Sequence, residues 1–320
     1  MEGNTCSIVM YHYVRDLVHT RFPNIKGLDI EKFKQQIDFL EKNYHLITME
    51  ELIYSYETGS KLPINSALLT FDDGYKDHYD FVFPILDRKK IQGCFYIPAQ
   101  TVMEHLILDV NKIHFILEVN NDSIELLSRD IFKLLDDYRE AYTLNSNDWY
   151  YNKLAIPSRF DTKDVIFIKR LLQVELVEEL RSKMIDILFE KYVSSDQKAF
   201  SRELYMSEEQ IQCMQRNGMH IGGHGYSHYW LGSLDRDKQE REIHESKKFI
   251  QNIGGDINNW TMCYPYGNYN SDTLELLGKY NCKIGLTTEV GAANLNIHKQ
   301  YELPRLDTND IWTLQNLKSS

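Results

Sequence analysis

The sequence predicts an α/β fold with a parallel sheet, whose seven strands suit a barrel better than an open sheet. Seven short apolar runs are continuous more than alternating, as strands covered on both faces are, and most are separated by segments with apolar residues at helical spacing. One interval, residues 104–204, carries almost no strand signal and reads as a helical insertion after the third strand.

The predicted strands are Ser7 to Val14, Ser66 to Phe71, Gly93 to Ala99, Met219 to Gly223, Trp260 to Tyr264, Cys282 to Thr287 and Leu303 to Asp307. Between the first two, Ile30 to Asn43 puts Phe33, Ile37, Phe39 and Leu40 on one side, and Thr48 caps a short helix reaching Tyr56. The insertion shows helical spacing over Asp109 to Val119, Ser123 to Tyr138, Asp161 to Val174 and Glu175 to Tyr192, with Asn147 to Tyr151 as an aromatic, polar loop. Ser207 opens a helix over Glu208 to Asn217 with the capping sequence Ser-Glu-Glu-Gln. Asp235 to Ile253 reads as a charged, solvent-facing helix closed by Gly254 and Gly255, and Ser271 to Tyr280 turns Leu274, Leu276 and Leu277 inward. The expected organisation is a barrel domain over 1–103 and 205–320 with the insertion at 104–204. Loops after strands sit on the face where barrel active sites form, so the insertion is placed either to cover the site or to serve as scaffold or oligomer contact.

With 320 residues and a formal net charge of -11, the chain can bury a large core, and its field repels nucleic acid and anionic membranes. Five cysteines without a CxxC pair fit reduced thiols. The start of the chain lacks the basic and apolar regions of a secretory signal, and no apolar stretch is long enough to span a membrane. These features predict a cytoplasmic protein.

Two motifs carry chemistry. Asp72 and Asp73 follow an apolar strand, with Gly74 permitting a turn; two acids at such a position are costly to desolvate unless a cation or hydrogen bonds compensate. His224 and His228 follow another strand and stand four apart, so a tight loop or single turn can aim both imidazoles at one ion. Each motif alone also fits a solvated turn or a chance pair. At the ends of two strands of one parallel sheet they converge without special geometry, giving a one-carboxylate, two-histidine metal site with one carboxylate left over as a base. His220, inside its strand, reads as a satisfied core histidine.

Thr70 to Gly74 and His224 to His228 resemble the first two motifs of the polysaccharide deacetylases, the NodB-homology or carbohydrate esterase family 4 enzymes. Met10 to Val14 resembles the opening of many members, Tyr264-Pro265-Tyr266-Gly267 their third motif, and Leu303 to Asp307 the late leucine-arginine segment of one subgroup. The resemblance covers residues 7–103 and 205–310 and leaves the insertion unexplained.

It implies a distorted (β/α)7 barrel of the NodB-homology type, a divalent metal, usually Zn2+, and hydrolysis of an N-acetyl group on an amino sugar. Asp73, His224 and His228 would bind the metal, Asp72 would take a proton from the attacking water, and Tyr266, following Pro265, would offer its backbone amide to the oxyanion. Two departures matter. Cys263 stands where many members carry an arginine that orients the base; Arg305 either supplies that charge or pairs with Asp307 at the surface. The late histidine that serves as general acid is absent, leaving His12, which otherwise only shapes the metal pocket, and His298, which otherwise is a loop residue. Tyr11, Tyr226, Tyr229 and Trp230 either stack on a sugar or pack.

The reading is a metal-dependent carbohydrate N-deacetylase acting on an N-acetylated sugar or glycan precursor, nucleotide- or lipid-linked, or on an oligosaccharide. The rivals are an amidase for a small non-sugar amide and a sugar-binding homologue without catalysis.

Overall fold

The computed structural model describes residues 4–157 and 161–311. Its barrel strands are β1 (Thr5–Tyr11), β2 (Ser66–Phe71), β3 (Gly93–Ile97), β4 (His220–Gly223), β5 (Met262–Cys263), β6 (Gly285–Val290) and β7 (Leu303–Asp307). Each pairs in parallel with the next, and β7 returns to β1 through Val9 opposite Leu306, so the sheet closes. Register is most fully specified between β1 and β2, where Cys6 to Tyr11 lie opposite Ser66 to Phe71 in unbroken order. Every residue of β2 and β3 is buried, which is why both read as apolar runs without alternation.

The distortion has local causes. β5 is only two residues long. The register slips between Leu303 and Arg305 where β7 meets β6. His45–Leu46 extends the sheet beside β2, and Ala293–Asn294 runs antiparallel to the start of β1. Helices Ile30–Asn43 and Met49–Thr58 lie between β1 and β2, Phe83–Lys89 between β2 and β3, Arg236–Asn252 between β4 and β5, and Ser271–Lys279 between β5 and β6.

The helix boundaries follow from side-chain caps. Asp29 accepts from the amide of Glu31, and Thr48 with Glu51, like Ser207 with Gln210, forms a reciprocal capping box. Arg236–Asn252 departs from the expected solvent-facing helix: Gln239, Glu242, Ile243, Ser246, Phe249 and Ile250 form a buried stripe along one side. The abundant charges that suggested exposure occupy the other side.

The chain divides into two compact units. One holds the barrel, Gly27–Leu106 with the flanking segments up to Asp16 and from Ser201 onward; the other comprises Leu17–Lys26 and Ile107–Phe200. In the helical unit, Asp109–Val119, Ile124–Tyr142, Asn147–Leu154, Lys163–Arg170 and Glu178–Tyr192 are α-helices around Phe115, Phe167, Leu135, Met184 and Phe189. Leu17–Lys26 joins this unit through Phe22, whose ring meets Phe115 at 4.7 Å and Phe200 at 5.9 Å. Asn147 to Tyr151, expected as a loop, is the start of a helix because Ser146 caps it, accepting from the Trp149 amide at 3.2 Å.

Candidate active site

The C-terminal ends of four strands converge on one cluster. Asp72 continues β2 by donating its amide to the Tyr11 carbonyl at 2.9 Å, and His224 continues β4 by donating to the Ile97 carbonyl at 3.2 Å. The chain then turns sharply in both places. Asp73 and His228 hold left-handed backbone at φ 72° and 61°, and Tyr266 does so at φ 58° in the turn after β5. Side chains with a Cβ rarely adopt this region, so three non-glycine residues at one site are held against local preference. Gly267, at φ 66°, is required by space as well, since a Cβ there would lie 2.0 Å from Thr288 Oγ1.

The two acids have different surroundings. Asp73 Oδ2 accepts from the Tyr75 hydroxyl at 2.6 Å, whereas the buried Oδ1 has no hydrogen-bond partner and faces His224 Nε2 at 3.4 Å and His228 Nε2 at 3.3 Å. His224 Nδ1 lies 2.8 Å from the Cys263 carbonyl, which can only accept, so Nδ1 carries a proton and Nε2 is turned to Asp73. Burial opposes a charge on this imidazole, but the Asp73 and Asp72 carboxylates hold it well above its ordinary value, so an ion would have to displace the Nε2 proton. Burial pushes the His228 imidazole below its ordinary value, which favours the neutral, ligating form. A buried carboxylate oxygen without a donor costs about 1–3 kcal/mol; one carboxylate oxygen and two imidazole Nε2 atoms around a common point form a ligand set that suits a divalent cation.

Asp72 instead faces Arg305. The guanidinium on β7 is fully buried and grips both carboxylate oxygens, Nη1 to Oδ1 at 2.9 Å and Nη2 to Oδ2 at 2.7 Å. Its remaining donors reach the Thr287 carbonyl at 2.8 Å, Thr70 Oγ1 at 3.2 Å and Cys263 Sγ at 2.8 Å. Burial raises the Asp72 carboxyl, but the charge of Arg305, with help from His224, outweighs it and brings the group down to about 2. The Cys263 thiol is pushed up by burial and is a neutral neighbour. A surface pair between Arg305 and Asp307 does not form; Arg305 turns inward.

His12 Nε2 stands 3.9 Å from Asp72 Oδ2, and its side chain is 44% exposed, so it sits at the mouth of the cluster. Its carbonyl is held by His78 Nε2 at 2.7 Å. His298 is elsewhere, its Nδ1 accepting from the Asn294 amide within its own loop. His220 is buried and bonded to Thr261 Oγ1 at 2.8 Å, as a core histidine should be. Tyr11 is fully buried between Phe33 and Phe71, which removes it as a sugar-stacking surface. Trp230 lies flat against Tyr266 at 4.3 Å, and Tyr266 meets His228 edge-on at 4.7 Å; Pro265 is buried in the same turn.

Two residues that sequence reasoning passed over complete the cluster. Tyr75 supports Asp73, and its ring is clasped by Tyr13 at 4.1 Å. Glu242 accepts from the amides of Tyr226 and Ser227 in the loop between the two histidines. We expect Tyr75→Phe, which removes the hydroxyl that donates to Asp73 Oδ2, to weaken divalent-metal binding by about tenfold or more, as loss of a ligand's supporting hydrogen bond does. Chelator competition on the folded variant measures it; unchanged affinity would show that Asp73 needs no such support.

Barrel and cluster together define a class: an α/β barrel protein with a one-carboxylate, two-imidazole constellation and a second, arginine-held carboxylate at the strand ends. The sequence profile of the family described as Polysaccharide deacetylase matches residues 177–285. YxkH of Bacillus subtilis (strain 168) is 33% identical over 97 residues, 30% of this chain and 34% of that protein. The Poly-beta-1,6-N-acetyl-D-glucosamine N-deacetylase of Escherichia coli (strain K12) is 31% identical over 80 residues, 24% of this chain and 12% of that protein. The aligned stretches thus span about a third or less of these relatives' lengths. Among solved structures, the Streptococcus pyogenes deacetylase PplD in complex with acetate superposes with a TM-score of 0.59 at 17% identity, covering 95% of this chain and 92% of that one. IcaB from Ammonifex degensii does so with a TM-score of 0.60 at 16% identity, covering 99% and 98%. Over these stretches the chain is similar to the polysaccharide deacetylase family, and the solved structures share its fold. Among the described residues no helix is long and apolar enough to cross a membrane.

Proposed function

We propose that the protein is a metal-dependent carbohydrate N-deacetylase that hydrolyses the N-acetyl group of an amino sugar. The observation that carries this reading is the division of labour between adjacent acids: Asp73 faces two imidazole Nε2 atoms, while Asp72 is gripped by Arg305 beside it. Asp73, His224 and His228 would hold the ion, which supplies Lewis-acid polarisation of the acetyl carbonyl and acidifies water near neutrality.

The chain's own groups do the rest. Asp72, kept ionised by Arg305, accepts the proton of the attacking water as its oxygen bonds to the acetyl carbon. The backbone amide of Tyr266, in the turn that Pro265 opens, donates to the oxyanion. As the C–N bond breaks, the leaving nitrogen takes a proton from His12, the exposed imidazole nearest Asp72, to give acetate and a free amine. A neutral thiol at Cys263 lets Arg305 approach the base from β7, a task that a side chain on β5 would otherwise fill.

The substrate would be a glycan precursor, a nucleotide- or lipid-linked N-acetyl sugar, or an oligosaccharide. All five cysteines are free thiols, four of them buried, which suits a reducing compartment and favours the precursors. Purified protein with Zn2+ is expected to release acetate from N-acetyl-sugar donors, measured by coupled assay. Release from exported polymers alone would remove the precursor reading, and turnover of only non-sugar amides would remove the carbohydrate.

A further inference from the structure

The loop bearing both histidines is wound around a single carboxylate oxygen. Glu242, on helix Arg236–Asn252, is 5% exposed, and its Oε2 accepts from the Tyr226 amide at 2.9 Å and from the Ser227 amide at 2.7 Å. The chain approaches so closely that a Cβ on Gly225, itself at φ 70°, would lie 3.2 Å from the same oxygen. The other side of the loop is pinned to the segment after β3, where Ala99 and Gln100 donate their amides to the carbonyls of Gly225 and Tyr226.

A buried carboxylate is costly, and a leucine or methionine would fill a helix stripe more cheaply. What a carboxylate does here that an apolar residue cannot is satisfy two consecutive amides in a sharp turn. Those amides lie between His224 and His228, so fixing them fixes the distance and angle between the two imidazoles. His228 enters left-handed backbone directly after this pair.

We propose that Glu242 is the positioning residue that holds the His224–His228 loop in ligating geometry before the ion arrives. This rests on the reading of His224 and His228 as metal ligands. Without Glu242, ordering of the loop is charged against metal binding, and affinity falls.

The test is Zn2+ affinity by chelator competition and the visible spectrum of the Co2+-loaded protein, each on protein whose folding is verified by circular dichroism. Glu242→Gln keeps shape and one carbonyl acceptor and is expected to bind roughly tenfold more weakly. Glu242→Ala is expected to lose more, up to about 100-fold, with an altered Co2+ spectrum. Should Glu242→Ala not fold, the isosteric Glu242→Gln decides alone. Wild-type affinity and spectrum in folded Glu242→Gln would overturn the proposal, as would a folded Glu242→Ala whose Co2+ spectrum stays that of wild type. If wild-type protein and His228→Ala bind Zn2+ equally, the metal-site reading itself fails, a result separate from any behaviour of Glu242.

Discussion

Arg305→Met is expected to cost about 3–5 kcal/mol of folding stability, because it leaves the Asp72 carboxylate buried without its partner. The guanidinium satisfies five neighbouring atoms, on Thr70 and Asp72 at the end of β2, Cys263 on β5 and Thr287 on β6, and a thioether satisfies none of them. Activity is expected to fall as well, by roughly 10²–10⁴ at neutral pH, since a buried, unpaired carboxyl takes up a proton and ceases to be a base. Denaturant unfolding separates the two effects when read beside a double variant, Arg305→Met with Asp72→Leu. Removing both charges should recover most of the stability and none of the turnover. A single variant as stable as wild type would mean that the pair is not what holds Asp72 ionised. Arg305→Lys keeps the charge without the two-pronged grip and should fall between.

Asp72→Asn is expected to reduce turnover by roughly 10²–10⁴ while changing Zn2+ affinity only a few-fold, because an amide cannot accept the water's proton and Asp73 faces the imidazoles. Steady-state acetate release and chelator competition measure the two quantities on one preparation. Unchanged turnover would remove Asp72 as the base, and a metal affinity reduced as strongly as by His228→Ala would make it a ligand. The wild-type carboxyl is brought down from 3.8 to about 2, burial opposing and Arg305 prevailing. Its folded value lies below its unfolded one, so the pair's stabilisation is complete above about pH 4 and is lost as pH falls toward about 2. In Arg305→Met the carboxyl is already protonated at higher pH, so the loss of stability between about pH 4 and 2 should shrink, which acid titration of both proteins measures.

Much of the barrel could be read from the chain because burial on both sides leaves little choice of residue. Ser66–Phe71 and Leu303–Asp307 have the bounds that their apolar runs indicate. Elsewhere the same signal misleads: Trp260 to Tyr264 is apolar but for Thr261, yet only Met262–Cys263 pairs as strand, and Trp260 serves the core while its indole donates to the Tyr280 carbonyl. Cys282 to Thr287 was displaced for a similar reason, the strand beginning at Gly285 after buried Cys282 and Ile284. The meeting of Asp73 with His224 and His228 was legible because parallel strands deliver their C-terminal ends to one face. Arg305 was visible as a charge near the end of a late strand, but its inward turn depends on the small Cys263 side chain two strands away. Tyr75 carries no periodic signal. Glu242 did carry one, since it falls on the apolar stripe with Ile243, Phe249 and Ile250, and the helix's overall charge masked it.

Asp73, His228 and Tyr266 sit in backbone wells that an unfolded chain seldom visits, each at a cost of about 1–2 kcal/mol. Two of these are proposed ligands and the third lies against one of them. The short motifs are therefore not portable: a peptide containing Thr70 to Gly74 or His224 to His228, freed from the strands, would spend almost none of its time in the arrangement described, and an ion would have to impose it. In the folded chain the barrel has already imposed it. A search for such centres by motif alone would accordingly return many sequences with the right letters and no scaffold to bend them, whereas paired left-handed residues at parallel strand ends mark the places where the letters have a shape.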